Sequence, residues 1–182
     1  MNTPENVAAY ESSVRFDENR IGAAAIYCSD GRFGPACDDF LHNALQLARY
    51  DRLAVPGGAA CLGGHFLAYR EEEALLDQLR FLIRVHALER VVLIAHQDCA
   101  FYSERLHVAP QKIESQQQQD MQCAIERIHT LARKLPVDAF FARKGPAATI
   151  RFESLDRWLS KEEPRPELAV RLHSISVISQ RR

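Results

Sequence analysis

The 182-residue chain balances 23 Lys and Arg against 24 Asp and Glu, a formal net charge of −1, with 47% hydrophobic and 26% charged residues. That composition suits one domain with a substantial core, and its near-zero net charge argues against a nucleic-acid or anionic-membrane partner, since both need clustered Lys and Arg. No apolar run approaches the length of a membrane span, and Met1 to Arg20 is polar and acidic, unlike a signal peptide, so a cytoplasmic location is expected.

Ile21 to Tyr27 is a short apolar run that stops at Cys28-Ser29-Asp30-Gly31, the pattern of a buried strand followed by a loop. Gly34 and Pro35 open a helix with Phe40, Leu41, Ala44, Leu45 and Ala48 on one face. Arg52 to Val55 is a second strand, ended by Pro56-Gly57-Gly58. Glu71 to Val85 is the clearest helix: Leu75, Leu76, Leu79, Leu82 and Ile83 make its apolar stripe, and three glutamates sit near its positive end.

Arg90 to Ala95 is a continuous apolar strand, as expected where both faces are covered. The run Gln116 to Gln119 reads as a solvated helix start or loop, and Met121, Ile125, Ile128, Ala132 and Leu135 mark a helix closed by Pro136. Val137 to Ala142 and Ala147 to Phe152 read as strands joined by a tight turn. Pro164 and Pro166 mark a linker, and Leu168 to Ile178 an edge strand or an arm that grips a partner. Strands alternating with helices imply an α/β fold with a mainly parallel central sheet flanked by helices. The expected organisation is one α/β domain over 1–182, with an N-terminal arm at 1–20 and a C-terminal linker and edge strand or arm at 161–182.

Five cysteines, an odd number in a chain without an export signal, argue against a disulfide framework and for metal ligands or buried thiols. Open α/β sheets gather their ligands at the carboxyl ends of the strands. Cys28 follows the first strand there, and His96 and Cys99 follow the Arg90 to Ala95 strand. Two thiolates and an imidazole suit tetrahedral zinc and leave a fourth position for water, or for Asp30 in a closed state. Arg32, two residues beyond Asp30, can pair with it bidentately, hold it ionised and fix its direction. Asp98 is expected to orient its loop through backbone hydrogen bonds. His65, His86, His107 and His173 are candidate proton relays, His65 first because it follows the Gly57–Gly64 loop. Cys61 reads as a buried or flexible thiol, and Cys37 and Cys123 as core residues on helices.

Cys28-Ser29-Asp30-Gly31-Arg32 and His96-Gln97-Asp98-Cys99 resemble, in order and separation, the two motifs of the β-class carbonic anhydrases. The resemblance spans roughly Ile21 to Phe152 in layout. It implies zinc on Cys28, His96 and Cys99, Asp30 and Arg32 as the catalytic pair, and reversible hydration of carbon dioxide to bicarbonate. It also implies a homodimer or homotetramer. The chain departs from the family at Gly31, at Ala100, and at Ala54-Val55-Pro56-Gly57-Gly58, where the family has an Arg-Asn-Ala-Gly loop. Two other readings share every ligand: a hydrolase of carbonyl sulfide or carbon disulfide, and a non-catalytic zinc protein closed by Asp30.

Overall fold

The structure, a computed structural model, describes residues 9–160. A five-stranded sheet organises it: β1 (Ala23–Cys28), β2 (Asp51–Val55), β3 (Arg90–His96), β4 (Val137–Lys144) and β5 (Ile150–Ser154), in the order β2-β1-β3-β4-β5. The first four are mutually parallel and β5 runs antiparallel to β4, so the sheet is mainly parallel, as expected. The helices are α1 (Gly34–Asp39), α2 (Tyr69–His86), α3 (Ile113–Leu131) and α4 (Leu155–Leu159).

Side chains alternate across the central strands, and the two faces fill separate cores. Ala24 and Ile26 of β1 and Val91, Leu93 and Ala95 of β3 face one core with Leu75, Leu79, Met121, Ala124, Ile128 and Trp158. Ala23, Ala25 and Tyr27, with Val92 and Ile94, face the other against Phe33, Cys37, Leu41 and Tyr50. This double coverage is why β1 and β3 read as unbroken apolar runs. Each fully buried Leu or Ile contributes about 1.5–3 kcal/mol relative to exposure. Trp158 closes the first core by stacking on Phe141 at 4.1 Å, and its indole N–H donates to Glu114 at 2.8 Å. Arg20 donates to the carbonyls of His86 (3.1 Å) and Ala87 (2.6 Å), tying the segment before β1 to the end of α2.

Several elements differ from expectation. The helix opened by Gly34-Pro35 passes into one wide turn over Phe40–Ala44 and ends there, so Leu45 and Ala48 lie beyond it. Leu45 N–H bonds to Phe40 O (3.1 Å) and Leu47 N–H to Leu41 O (2.9 Å), and Gln46 takes a positive φ of 56° that breaks the helix. Helix α3 begins eight residues before Met121, at Ile113, and ends before Ala132 and Leu135. The glutamine run therefore lies inside it, and Gln117 and Gln118 are buried rather than solvated. Strand β5 starts at Ile150, because Pro146–Ala148 form a helical turn held by Gly145 N–H to Thr149 O at 2.8 Å. The expected linker and strand or arm at 161–182 lie outside the described residues. Among those described, no helix is long and apolar enough to cross a membrane.

The segment after β2 folds back under the sheet end. Gly58 has φ +55°, and a Cβ there would stand 2.8 Å from both Cys28 N and Tyr27 C, which are backbone atoms that cannot yield. Gly58→Ala is therefore expected to destabilise the chain by about 2 kcal/mol or more. In a thermal melt followed by circular dichroism this is a fall of roughly 4–8 °C; an unchanged midpoint would contradict the close approach.

Candidate metal centre

Parallel pairing sets the site. Cys28 ends β1 and His96 ends the neighbouring β3, with Tyr27 level with Ile94 in the shared register. Cys99 returns from the loop beyond β3. One ligand atom from each of Cys28, His96 and Cys99 lies within 4.8 Å of the others, and His96 and Cys99 are buried. The structure thus brings together the three residues picked out as ligands.

The imidazole is held on three sides. Its ring packs on Phe33 at 4.2 Å between centroids, and its Nδ1–H donates to Gln97 O at 2.9 Å. The carbonyl of His96 accepts from the side-chain amide of buried Gln117 at 2.9 Å. With the proton on Nδ1, Nε2 carries a lone pair, and that atom is buried without a hydrogen-bond partner. An orphaned acceptor beside two sulfurs fits a metal ion: coordination supplies the contact the protein does not.

The sulfurs are set for the same role. Cys99 Sγ donates to Cys28 Sγ at 3.9 Å, and Gly57 N–H points at Cys28 Sγ at 3.4 Å. The Cys99 thiol, and after it the Gly57 amide, hold the Cys28 thiol well below its usual range against the opposing effect of burial. Cys99, bonded to that thiolate and buried, is raised. Two thiols this close disfavour ionising together, and a bound cation would favour both as thiolates.

Asp30 does not belong to the ligand cluster. Its carboxylate faces Arg32, which donates from Nε at 2.9 and 3.1 Å and from Nη2 at 2.5 Å, with the Arg32 backbone N–H at 3.0 Å. Arg32 holds Asp30 well below the usual carboxylate range. The bidentate pair expected from the Cys-x-Asp-x-Arg spacing is present, with Asp30 turned to Arg32.

Other expectations need correcting. Asp98 orients its loop through the Lys144 ammonium at 2.9 Å, with φ +55° that Asp tolerates, and not through backbone hydrogen bonds. Gln97 does the backbone work, accepting Lys144 N–H at 3.1 Å. His86 bonds Asp51 at 2.6 Å, at the start of β2 and so at the other end of the sheet. His107 is exposed, and His173 lies outside the described residues. Cys61 is buried and its thiol donates to Pro56 O at 3.1 Å, and Cys37 is buried, whereas Cys123 is only half-buried. Phe33, Gly57 and Gln117 were not foreseen. A signal existed for Gln117: it lies four residues before Met121 and seven before Ala124, on the same helical stripe.

A sequence profile of the family described as "Putative carbonic anhydrase" matches residues 18–150, which include all three ligand candidates and the Asp30–Arg32 pair. No curated protein matches the chain in sequence. Among solved structures, the β-carbonic anhydrase isoform I of the protozoan Trichomonas vaginalis is similar, with a TM-score of 0.50 and 9% identity over 78% of this chain and 87% of that one. The β-carbonic anhydrase CafA of the fungal pathogen Aspergillus fumigatus gives a TM-score of 0.40 and 16% identity over 85% of this chain and 83% of that one. At such identity the Trichomonas likeness speaks for the fold.

The thiol environments yield a direct test. In chelator-treated protein at about pH 6, iodoacetamide should modify Cys28 ahead of Cys37 and Cys61, both of which burial raises to about 12. Peptide mapping by mass spectrometry reads the order; labelling of Cys37 or Cys61 as fast as Cys28 would refute the assigned thiolate.

Proposed function

The chain belongs to the β-carbonic anhydrase family, and on that premise we propose that it is a zinc enzyme catalysing the reversible hydration of carbon dioxide to bicarbonate. The observation that carries the reading is the orphaned, buried Nε2 of His96 beside the Cys28 and Cys99 sulfurs. That donor set, two sulfurs and one nitrogen, suits zinc and leaves a position open to water. When bound, zinc supplies the Lewis acidity that makes water a nucleophile near neutral pH.

The remaining work falls to the chain's own groups. Asp30, kept ionised by Arg32, can only accept hydrogen bonds, so a hydroxyl beside it must turn its proton to Asp30 and its lone pair outward. That is the orientation attack on a linear, uncharged carbon needs. Arg32 fixes the carboxylate in direction as well as in charge, since both of its oxygens are engaged. Ala60, Phe101 and Val108 pack around Cys99 and Tyr102 and keep the surroundings apolar, favouring a small uncharged substrate over a hydrated ion. The engagement of Asp30 by Arg32 supports the catalytic reading over a protein closed by Asp30 ligation. Exposed Tyr10, Phe16 and Phe66 support the homodimer or homotetramer that family membership leads one to expect.

Metal analysis with a stopped-flow hydration assay tests the proposal. The purified chain should hold about one zinc and hydrate carbon dioxide. Asp30→Asn should keep the zinc and lose roughly 100-fold in rate, as when one positioned proton acceptor is removed. The parent rate should climb from about pH 6 to about pH 9, because thiolate ligands make zinc a weaker acid. Asp30, depressed by Arg32, stays charged throughout and adds no step. Zinc bound without any hydration would overturn the enzymatic reading and leave the family assignment intact.

A further inference from the structure

Helix α3 carries a carboxylate that the chemistry above does not use. Asp120 is 1% exposed. A charge so deep persists only where its oxygens are satisfied, and here both are. Oδ2 accepts the Tyr102 hydroxyl at 2.8 Å and meets His65 Nε2 at 2.8 Å; Oδ1 accepts the Gln116 amide at 2.9 Å.

Gln116 belongs to α3 itself, but Tyr102 and His65 come from the two segments that enclose the metal centre. Tyr102 is buried against Cys99 and Ala60, and its N–H donates to Cys99 O at 3.1 Å. Its own carbonyl accepts Val108 N–H at 2.9 Å, so Tyr102 anchors the whole turn after the third ligand. His65 ends the segment that begins with Gly57, whose N–H touches Cys28 Sγ, and Gly58, which lies against the Cys28 backbone. Two glycines make room for the link. A Cβ on Gly63 would stand 2.8 Å from Asp120 Cγ and 2.9 Å from His65 Nε2. Gly64, at φ +76°, turns its N–H to buried Glu72, which Arg127 pairs at 3.0 Å.

The geometry points to Asp120 as a positioning residue of the metal centre. Its one carboxylate fastens the Cys99 segment, through Tyr102, to the segment over Cys28, through His65. The inference rests on the proposal that Cys28, His96 and Cys99 hold a metal. Loosening the link lets Cys99 drift from the other two donors, and a ligand set loses affinity when its spacing is no longer held.

Cobalt(II) binding to the full chain tests it, with affinity taken from competition with a chromophoric chelator and geometry from the thiolate-to-cobalt absorption band. Tyr102→Phe removes one hydroxyl and keeps the ring; Asp120→Leu removes the carboxylate. Each should weaken cobalt binding about 10-fold and alter the band. The double variant should bind no more weakly than Asp120→Leu, because both changes cut one link. Gln119→Ala, an exposed neighbour in the same glutamine run, should bind like the parent. If Asp120→Leu does not fold, Tyr102→Phe alone decides. Folded variants that bind as tightly as the parent with an unchanged band, or losses that simply add, would overturn the inference and leave the metal reading standing. A folded parent that takes up no cobalt would overturn both.

Discussion

Two sulfurs and an imidazole nitrogen crowd within 4.8 Å at the end of a parallel sheet, two of the three residues buried. Without a cation this arrangement is costly. Cys28 is drawn below the usual thiol range, Cys99 is pushed above it, and the nitrogen lone pair has no donor. A single divalent ion would resolve all three at once, with both thiolates and the lone pair as its ligands. The surrounding structure serves to keep that crowding in place: Phe33 under the ring, Gln97 on Nδ1, Gln117 on the His96 carbonyl, and Gly57 on the Cys28 sulfur.

Backbone geometry supplies the precision. Adjacent parallel strands bring residues 68 positions apart in the chain to one edge, and registry along β1 and β3 fixes Cys28 and His96 before any side chain is chosen. The loops need finer control, and the sequence provides it with special residues. Gly57 and Gly58 take left-handed conformations that let the main chain come within reach of Cys28. Asp98 takes a similar conformation and is held by Lys144 at the end of β4. The Ala54–Gly58 segment thus lies against the candidate ligand Cys28 itself, through Gly57 and Gly58.

Much of this was legible in the residues. Ile21 to Tyr27 and Arg90 to Ala95 announced strands because both faces of the sheet are covered, so no polar residue interrupts them. Cys28, Asp30, Arg32, His96 and Cys99 stood out because chemistry restricts which residues can bind a soft ion and orient a proton acceptor. What stayed hidden depends on long-range packing. The glutamine run looked solvated because amides are usually exposed, yet Gln117 and Gln118 lie on the buried stripe of α3, and Gln117 finds a carbonyl 21 residues away. The early end of the helix after Pro35 has no strong local marker, since Gln46 adopts its positive φ without a glycine. His65 was picked out for its place after a glycine-rich loop; its partner Asp120 is 55 residues on, a distance that no local pattern spans.

The proposed chemistry turns on whether Cys28, His96 and Cys99 hold one zinc ion. Zinc-edge X-ray absorption on the purified, zinc-loaded chain tests it most directly. Two sulfur neighbours at about 2.3 Å and two nitrogen or oxygen neighbours at about 2.0 Å are expected. A shell of oxygen and nitrogen alone, or one of four sulfurs, would contradict it.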